Sequence, residues 1–332
     1  MEQDNLRAAL DWGIRLQTSD EAETERALQM ASYLWFYWQT RALYHEVRDF
    51  LQMALARHPL VYQSEAQHRI VIVTALLEAA CGDFETAYRL LDRRLAWCRE
   101  QGDIHGICNA CFNYMGVCAM AKDFARIREL GEETLALTKT EIARRKEADE
   151  PADLRLENFV AAIHSNMASA LIADGDLAGA AALFRESIVV QRKYEYMDWL
   201  AESLKDLGFL LLRPWAGQDV EAARSILQES LQLAVDLGYV EMVRNCLRGL
   251  AQVAEEQKEW AQAARWLGAA EGLRLQSQLA PVSDPLAVEQ EEGAIVRTAL
   301  GEKTFALYFA QGQTATLGQM TTFNAAYSGE HI

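Results

Sequence analysis

The chain has 332 residues, of which 51% are hydrophobic and only five are proline. Its 48 acidic and 32 basic residues give a net charge of −16, which opposes a phosphate backbone, so we expect no direct binding of nucleic acid. We expect a cytoplasmic protein with reduced thiols, because the first residues lack a charged-then-apolar leader, no apolar run approaches the ~20 residues of a membrane span, and the six cysteines follow no secreted framework.

Helical patterns begin in the first domain that we predict, residues 1–59. Apolar residues recur there at helical spacing, first from Ala27 to Trp38 and then from Leu43 to Ala54, and Pro59 closes the unit. The strongest strand candidate follows, residues 70–74 (IVIVT). Because this run continues directly into the helix-forming residues 75–80, we interpret the whole stretch as a buried helix.

A turn of the form Gly/Lys-Asp-apolar-x-x-Ala recurs through the second predicted domain, residues 60–279. Glycine can take the left-handed conformation that ends one helix, aspartate can cap the next, and the small final residue lets two helices approach closely. The five copies are residues 82–87 (GDFETA), 122–127 (KDFARI), 175–180 (GDLAGA), 218–223 (QDVEAA) and 258–263 (KEWAQA).

Each turn joins two helices with one apolar stripe, which a single pair cannot bury alone. Stacking successive pairs buries the stripes, so we predict an all-α, right-handed superhelical solenoid of antiparallel helix pairs. The unit resembles the tetratricopeptide repeat (TPR), with Leu207-Gly208 as its small residue in a first helix. The turns lie farther apart than the ~34 residues of the standard unit. Residues 141–150 lengthen one helix, and residues 213–216 lengthen a later turn.

Residues 280–332 form the third predicted domain. A proline-containing loop at residues 280–285 precedes helices around residues 286–300 and 303–311 and a weaker final helix. Because a solenoid must cover its last apolar face, we interpret this segment as a cap.

Several stretches resemble the carboxy-terminal TPR arm of bacterial STAND-type ATPases and of LuxR-type or antibiotic-regulator-type transcription factors. They are residues 4–12 (DNLRAALDW), 34–38 (LWFYW), 50–55 (FLQMAL), 263–274 (AARWLGAAEGLR) and 299–305 (ALGEKTF). The resemblance implies a regulatory arm, with ATPase and DNA-binding modules on the same native polypeptide. Neither a phosphate-binding loop nor a DNA-reading module occurs within the 332 residues.

The sequence offers no catalytic constellation. His105, Cys108, Cys111 and Cys118 lie near one face of a helix, but a straight helix spreads them over ~20 Å, so we interpret the cysteines as buried apolar thiols. No nucleophile elbow, His-Glu-x-x-His helix or glycine-rich phosphate loop occurs, and we expect neither an enzyme nor a cofactor.

The candidate binding site is a groove lined by the first helix of each pair. Aligned on their turns, Asn113 and Asn166 occupy the same position, and an amide offers the donor and the acceptor that a peptide backbone requires. The other inner positions are Arg69, Asn109, Phe112, Ser165, Ser169, Lys205, Phe209, Asn245, Arg248 and Gln252. We expect the cations Lys205 and Arg248 to favour an acidic segment. The alternative is that these side chains only solvate the groove or bond between helices.

The sequence therefore predicts a scaffold or sensor that binds a protein or peptide partner, as the regulatory arm of a bacterial transcriptional or signalling ATPase. A stand-alone adaptor or peptide-pheromone receptor is the first alternative. An enzyme that uses the groove as its substrate site is the second.

Overall fold

The computed structural model describes residues 65–277, 293–316 and 318–319, together with isolated positions before residue 65. Apart from those positions, the predictions for residues 1–59 lie outside the described residues, as do those for the loop at 280–285 and the weaker final helix. The chain divides into two compact units, Met1–Asn166 and Met167–Ile332.

Twelve α-helices and no strand occur in the described part of the chain. In the first unit, α1 spans Glu65–Ala80, α2 Phe84–Gln101, α3 Ile104–Ala121 and α4 Phe124–Glu147, while α5, Leu154–Ala173, extends past the unit boundary. The second unit continues with α6 Leu177–Lys193, α7 Met197–Leu212, α8 Val220–Asp236, α9 Val240–Glu256, α10 Trp260–Ser277, α11 Ala294–Leu300 and α12 Glu302–Gln313. Residues 70–74 lie within α1, which confirms the helical interpretation.

Consecutive helices pack against each other within each unit. In the first unit, α1 contacts α2, α2 contacts α3 and α3 contacts α4; the same order runs from α6 to α10 in the second. First helices also contact the first helix of the next pair, α1 with α3 and α7 with α9. This sequential packing of helix pairs confirms the predicted helical-repeat solenoid class.

The predicted turns have the expected backbone conformation at four of the five sites. Gly82, Lys122, Gly175 and Lys258 take left-handed φ values of 86°, 59°, 82° and 61°. At the first of them, the N–H of Asp83 donates to the carbonyl of Glu78 at 2.8 Å, which closes the helix end. The Oδ1 atom of Asp83 then accepts the N–H of Thr86 at 3.0 Å and caps α2.

The small residues that end the turns lie where helices meet. Ala87, Ala180, Ala223 and Ala263 are all fully buried, as is Ile127, which replaces alanine in the second copy.

Ion pairs join second helices of neighbouring repeats: Arg99 with Glu133, 34 residues later, and Arg192 with Glu229, 37 residues later. These separations match the ~34-residue period of the resembled repeat, although the turns themselves are spaced more widely.

The last helices of the described chain meet at glycines. α12 packs against α10, and α11 contacts both. A Cβ atom at Gly268 of α10 would lie 2.0 Å from the carbonyl oxygen of Phe309 in α12, and one at Gly312 would lie 1.9 Å from the carbonyl oxygen of Arg265. The two backbones therefore approach more closely than any side chain at these positions allows.

Candidate functional site

In the first unit, the two predicted asparagines anchor their amides on backbone carbonyls. Both side chains are half-buried. The Nδ2 atom of Asn113 donates to the carbonyl of Asn109 one turn earlier in α3, at 2.8 Å. The Nδ2 atom of Asn166 reaches from α5 to the carbonyl of Phe112 in α3, at 3.3 Å.

These bonds fix the orientation of both amides. Because a carbonyl oxygen only accepts, the nitrogen of each amide must face it, and the Oδ1 atom must point away. Neither asparagine makes another hydrogen bond within the described residues. Each amide therefore keeps its oxygen and one N–H for a further contact, while the bond from Asn166 to Phe112 also joins two first helices.

The other predicted positions of the first unit surround these amides. Asn109 and Phe112 are half-buried, and both supply the carbonyls described above. Ser165 is half-buried and donates to the carbonyl of Ala161 at 3.4 Å. Arg69 is exposed, and its guanidinium lies 5.0 Å from the ring centre of Tyr33.

In the second unit, the predicted cation Lys205 is already paired. Its Nζ atom lies 3.1 Å from Oδ1 of the adjacent Asp206, and the two side chains are only 12% and 20% exposed. The carboxylate of Asp206 offsets much of the positive charge that the sequence predicted at this position. Arg248 and Gln252 in α9 and Ser169 in α5 are half-buried.

Two predicted groove residues are buried instead. The ring of Phe209 is 5% exposed and belongs to the hydrophobic core of the second unit, so this position offers no contact surface to a partner. Asn245 is 8% exposed, and its Oδ1 atom has no hydrogen-bond partner within the described residues.

The histidine considered as a metal ligand contacts a carboxylate, and the three cysteines considered with it lie in the core. The Nε2 atom of His105 lies 2.9 Å from Oδ2 of Asp153, and Cys108, Cys111 and Cys118 are fully buried. Burial raises the pKa of Cys108 to about 12 and that of Cys111 to about 11, so both thiols stay protonated near neutral pH. Among the described residues, no group of three or more histidine, cysteine, aspartate or glutamate side chains could hold a metal ion.

Asp153 makes contacts with three helices, which the sequence did not indicate. Besides His105 at the start of α3, it contacts Arg145 at the end of α4, with an Nη2–Oδ2 distance of 3.4 Å. Its Oδ1 atom accepts the N–H groups of Arg155 and Leu156, at 3.1 and 3.4 Å, at the start of α5. One carboxylate thus links three helices of the first unit.

Comparisons with known proteins extend the fold assignment. No family model matches the chain, and no curated protein matches it. The crystal structure of BtubC (BKLC) from P. vanneervenii is similar, with a TM-score of 0.50 and 16% identity over 77% of this chain and 99% of that one. A signal transduction ATPase with numerous domains (STAND) from Pyrococcus horikoshii, which has a tetratricopeptide repeat sensor, gives a TM-score of 0.51 and 16% identity.

The STAND comparison covers 83% of this chain but only 41% of the Pyrococcus protein, so this chain spans less than half of that relative. At 16% identity, both likenesses show the fold alone, a TPR-like array of helices. None of the described helices is both long and apolar enough to cross a membrane.

Proposed function

We propose that the chain is a scaffold or sensor that binds a protein or peptide partner along the first helices of its repeats. The observation that carries this proposal is the pair of anchored amides, Asn113 and Asn166. Each is held by one N–H on a backbone carbonyl and keeps its oxygen for the N–H of a partner. Fixing an amide beforehand lowers the entropy lost when a partner binds.

We further propose that this scaffold is the regulatory arm of a bacterial signalling ATPase or of a LuxR-type or antibiotic-regulator-type transcription factor, working in the cytoplasm. The terminal motifs support it, and so does the likeness to a STAND protein with a repeat sensor. Partner binding would then bias the attached switch toward one of its states. Contact with nucleic acid would belong to another module, since the net charge of this chain is −16.

A stand-alone adaptor or peptide-pheromone receptor is the second candidate. It is favoured by the BtubC comparison, in which this chain covers 99% of a crystallised chain with a similar fold. Catalysis in the groove has less support. Burial raises the pKa values of the thiols of Cys108, Cys111, Cys118 and Cys246, and a protonated thiol is a poor nucleophile.

The native reading frame separates the two candidates. A sequence encoding a Gly-x-x-x-x-Gly-Lys-Ser/Thr phosphate loop immediately upstream of Met1 would support the regulatory arm. A reading frame that contains only the helical array would support the adaptor.

Selection from a random peptide library tests binding itself. We expect the purified chain to recover extended peptides that bind with Kd values near or below about 10 μM, an ordinary affinity for a transient contact. Failure to enrich any peptide, with folded protein confirmed by circular dichroism, would contradict a peptide-binding role.

A further inference from the structure

Two first helices of repeats in the second unit, α7 and α9, begin without the aspartate cap that six other described helices use. In six described helices an aspartate accepts a backbone N–H of the first turn: Asp83, Asp103, Asp123, Asp153, Asp176 and Asp219. At the corresponding positions before α7 and α9 stand Tyr196 and Tyr239, and neither side chain makes a cap bond. Because tyrosine gives up a stabilising cap there, a different role for these rings is indicated.

The ring of Tyr196 lies within a row of aromatic side chains at the start of α7. Its centre is 6.5 Å from the ring of Tyr194 and 6.4 Å from that of Trp199, and all three side chains are half-buried. The ammonium of Lys193 lies 4.5 Å from the ring centre of Tyr194, so a cation already rests on one ring of this row.

Three carboxylates of α7 and α9 act on the second tyrosine through their charges. Asp198 and Glu202 are exposed and lie one turn apart on α7, and Glu241 lies in the first turn of α9, which packs against α7. Burial, and then the charges of Glu202, Asp198 and Glu241, raise the pKa of Tyr239. Acids in a first turn stabilise a helix start, but Glu202 lies beyond that turn and gains nothing there.

The two lysines nearest in sequence to these acids of α7 already have contacts of their own. Lys193 rests on Tyr194, and Lys205, the next cation along α7, is paired with Asp206. Asp198 and Glu202 make no ion pair within the described residues.

We propose that this aromatic–acidic surface binds a lysine- or arginine-rich segment of a partner protein. The surface consists of Tyr196, Trp199, Tyr239, Asp198 and Glu202. A guanidinium or ammonium stacks on an aromatic face, and the carboxylates beside it accept its N–H groups. This partner chemistry is the reverse of the acidic segment that the sequence predicted from Lys205 and Arg248. It lies beyond the proposed groove site, since it uses neither Asn113 nor Asn166.

Fluorescence anisotropy with two labelled peptides of equal length tests the proposal, one alternating arginine and glycine and the other glutamate and glycine. We expect the arginine peptide to bind and the glutamate peptide not to bind, with affinity falling as salt is raised. The variant Asp198→Asn/Glu202→Gln should bind the arginine peptide about three- to thirtyfold more weakly, the effect of losing two partly exposed ion pairs.

The matched control removes two exposed charges elsewhere, in Glu132→Gln/Glu256→Gln. Neither residue makes a hydrogen bond or ion pair within the described part of the chain. A control that loses as much affinity as the first variant would show attraction by net charge alone and would overturn the proposal. Absence of binding to the wild-type chain at low salt would overturn it as well.

Tyr196→Ser provides a variant that keeps its fold, because serine can supply the missing cap of α7. We expect unchanged helical content with weaker binding of the arginine peptide. Asn113→Ala/Asn166→Ala should bind that peptide like the wild-type chain, so a failure of the groove proposal and a failure of this one give different results.

Discussion

Single small side chains set how closely neighbouring helices approach. Ala180 in α6 is fully buried, whereas Ala178 in the same helix is exposed. We expect Ala180→Leu to overpack the interface and lower the free energy of unfolding by ~1–3 kcal/mol. Ala178→Leu, the matched control, should change it by less than about 0.5 kcal/mol. Urea denaturation measures both, and equal stabilities for the two variants would contradict the assignment of this turn.

Asp153 makes the stability of the first unit depend on pH. Burial raises the pKa of this carboxyl, but His105, the N–H of Leu156 and Arg145 outweigh burial and hold the pKa below its ordinary value of 3.8. The ionised form is thus favoured by folding. The contribution of this carboxylate to the free energy of unfolding is complete above about pH 4, near the pKa of Asp153 in the unfolded chain. It is lost as the pH falls through the lower pKa of the folded protein.

Asp153→Asn should therefore destabilise the protein by ~1–2 kcal/mol at neutral pH, through the lost ion pairs and weakened cap of α5. The difference from wild type should shrink in urea titrations below about pH 4, where the carboxyl of the unfolded wild-type chain becomes protonated, and vanish once the folded carboxyl is neutral as well. Glu132→Gln is the control for loss of an exposed charge. A difference between wild type and Asp153→Asn that stays constant down to pH 3 would rule out this role of the ionised carboxylate.

At the scale of elements, the docking of α12 on α10 depends on glycine. Gly268→Ala would place a methyl group against the carbonyl of Phe309, so we expect a loss of ~1–3 kcal/mol or release of α12. Gly116 in α3 has nothing within 4 Å of an added Cβ, and Gly116→Ala should stabilise the helix by ~0.5–1 kcal/mol. In urea denaturation, we expect the free energy of unfolding to fall for Gly268→Ala and to rise for Gly116→Ala. A rise for both variants would mean that α12 does not pack as described.

Element boundaries were predictable wherever turn chemistry is local. Lys122 and Lys258 take the left-handed conformation despite their side chains, and Asp219 caps α8, as the repeated motif indicated. The lengthened turn before Asp219 was also predicted. α7 already ends at Leu212, and the intervening loop is closed by bonds such as that from the indole of Trp215 to the carbonyl of Leu210. Phe209, in the last turn of α7, lies in the core, which helical spacing alone did not indicate.

For the whole molecule, the side-chain pairs at the proposed sites were beyond the sequence pattern. Helical spacing placed Lys205 on an inner face, but its pairing with Asp206 depends on rotamers that spacing does not encode. The bond from Asn166 to the carbonyl of Phe112 spans 54 residues and requires the packed repeats. A local signal for the aromatic–acidic surface did exist, since Tyr196 and Tyr239 interrupt a series of aspartate caps.

The most direct test of a peptide-binding array is Asn113→Ala/Asn166→Ala, with melting temperature and affinity for a selected peptide measured on the same sample. We expect affinity to fall by ~1–3 kcal/mol through lost hydrogen bonds, with helical content unchanged because alanine is the better helix former. The bond from Asn166 to Phe112 should add only ~0.5–1.5 kcal/mol to the stability lost. A clear loss of stability with normal affinity per folded molecule would contradict the account and assign both asparagines to structure alone.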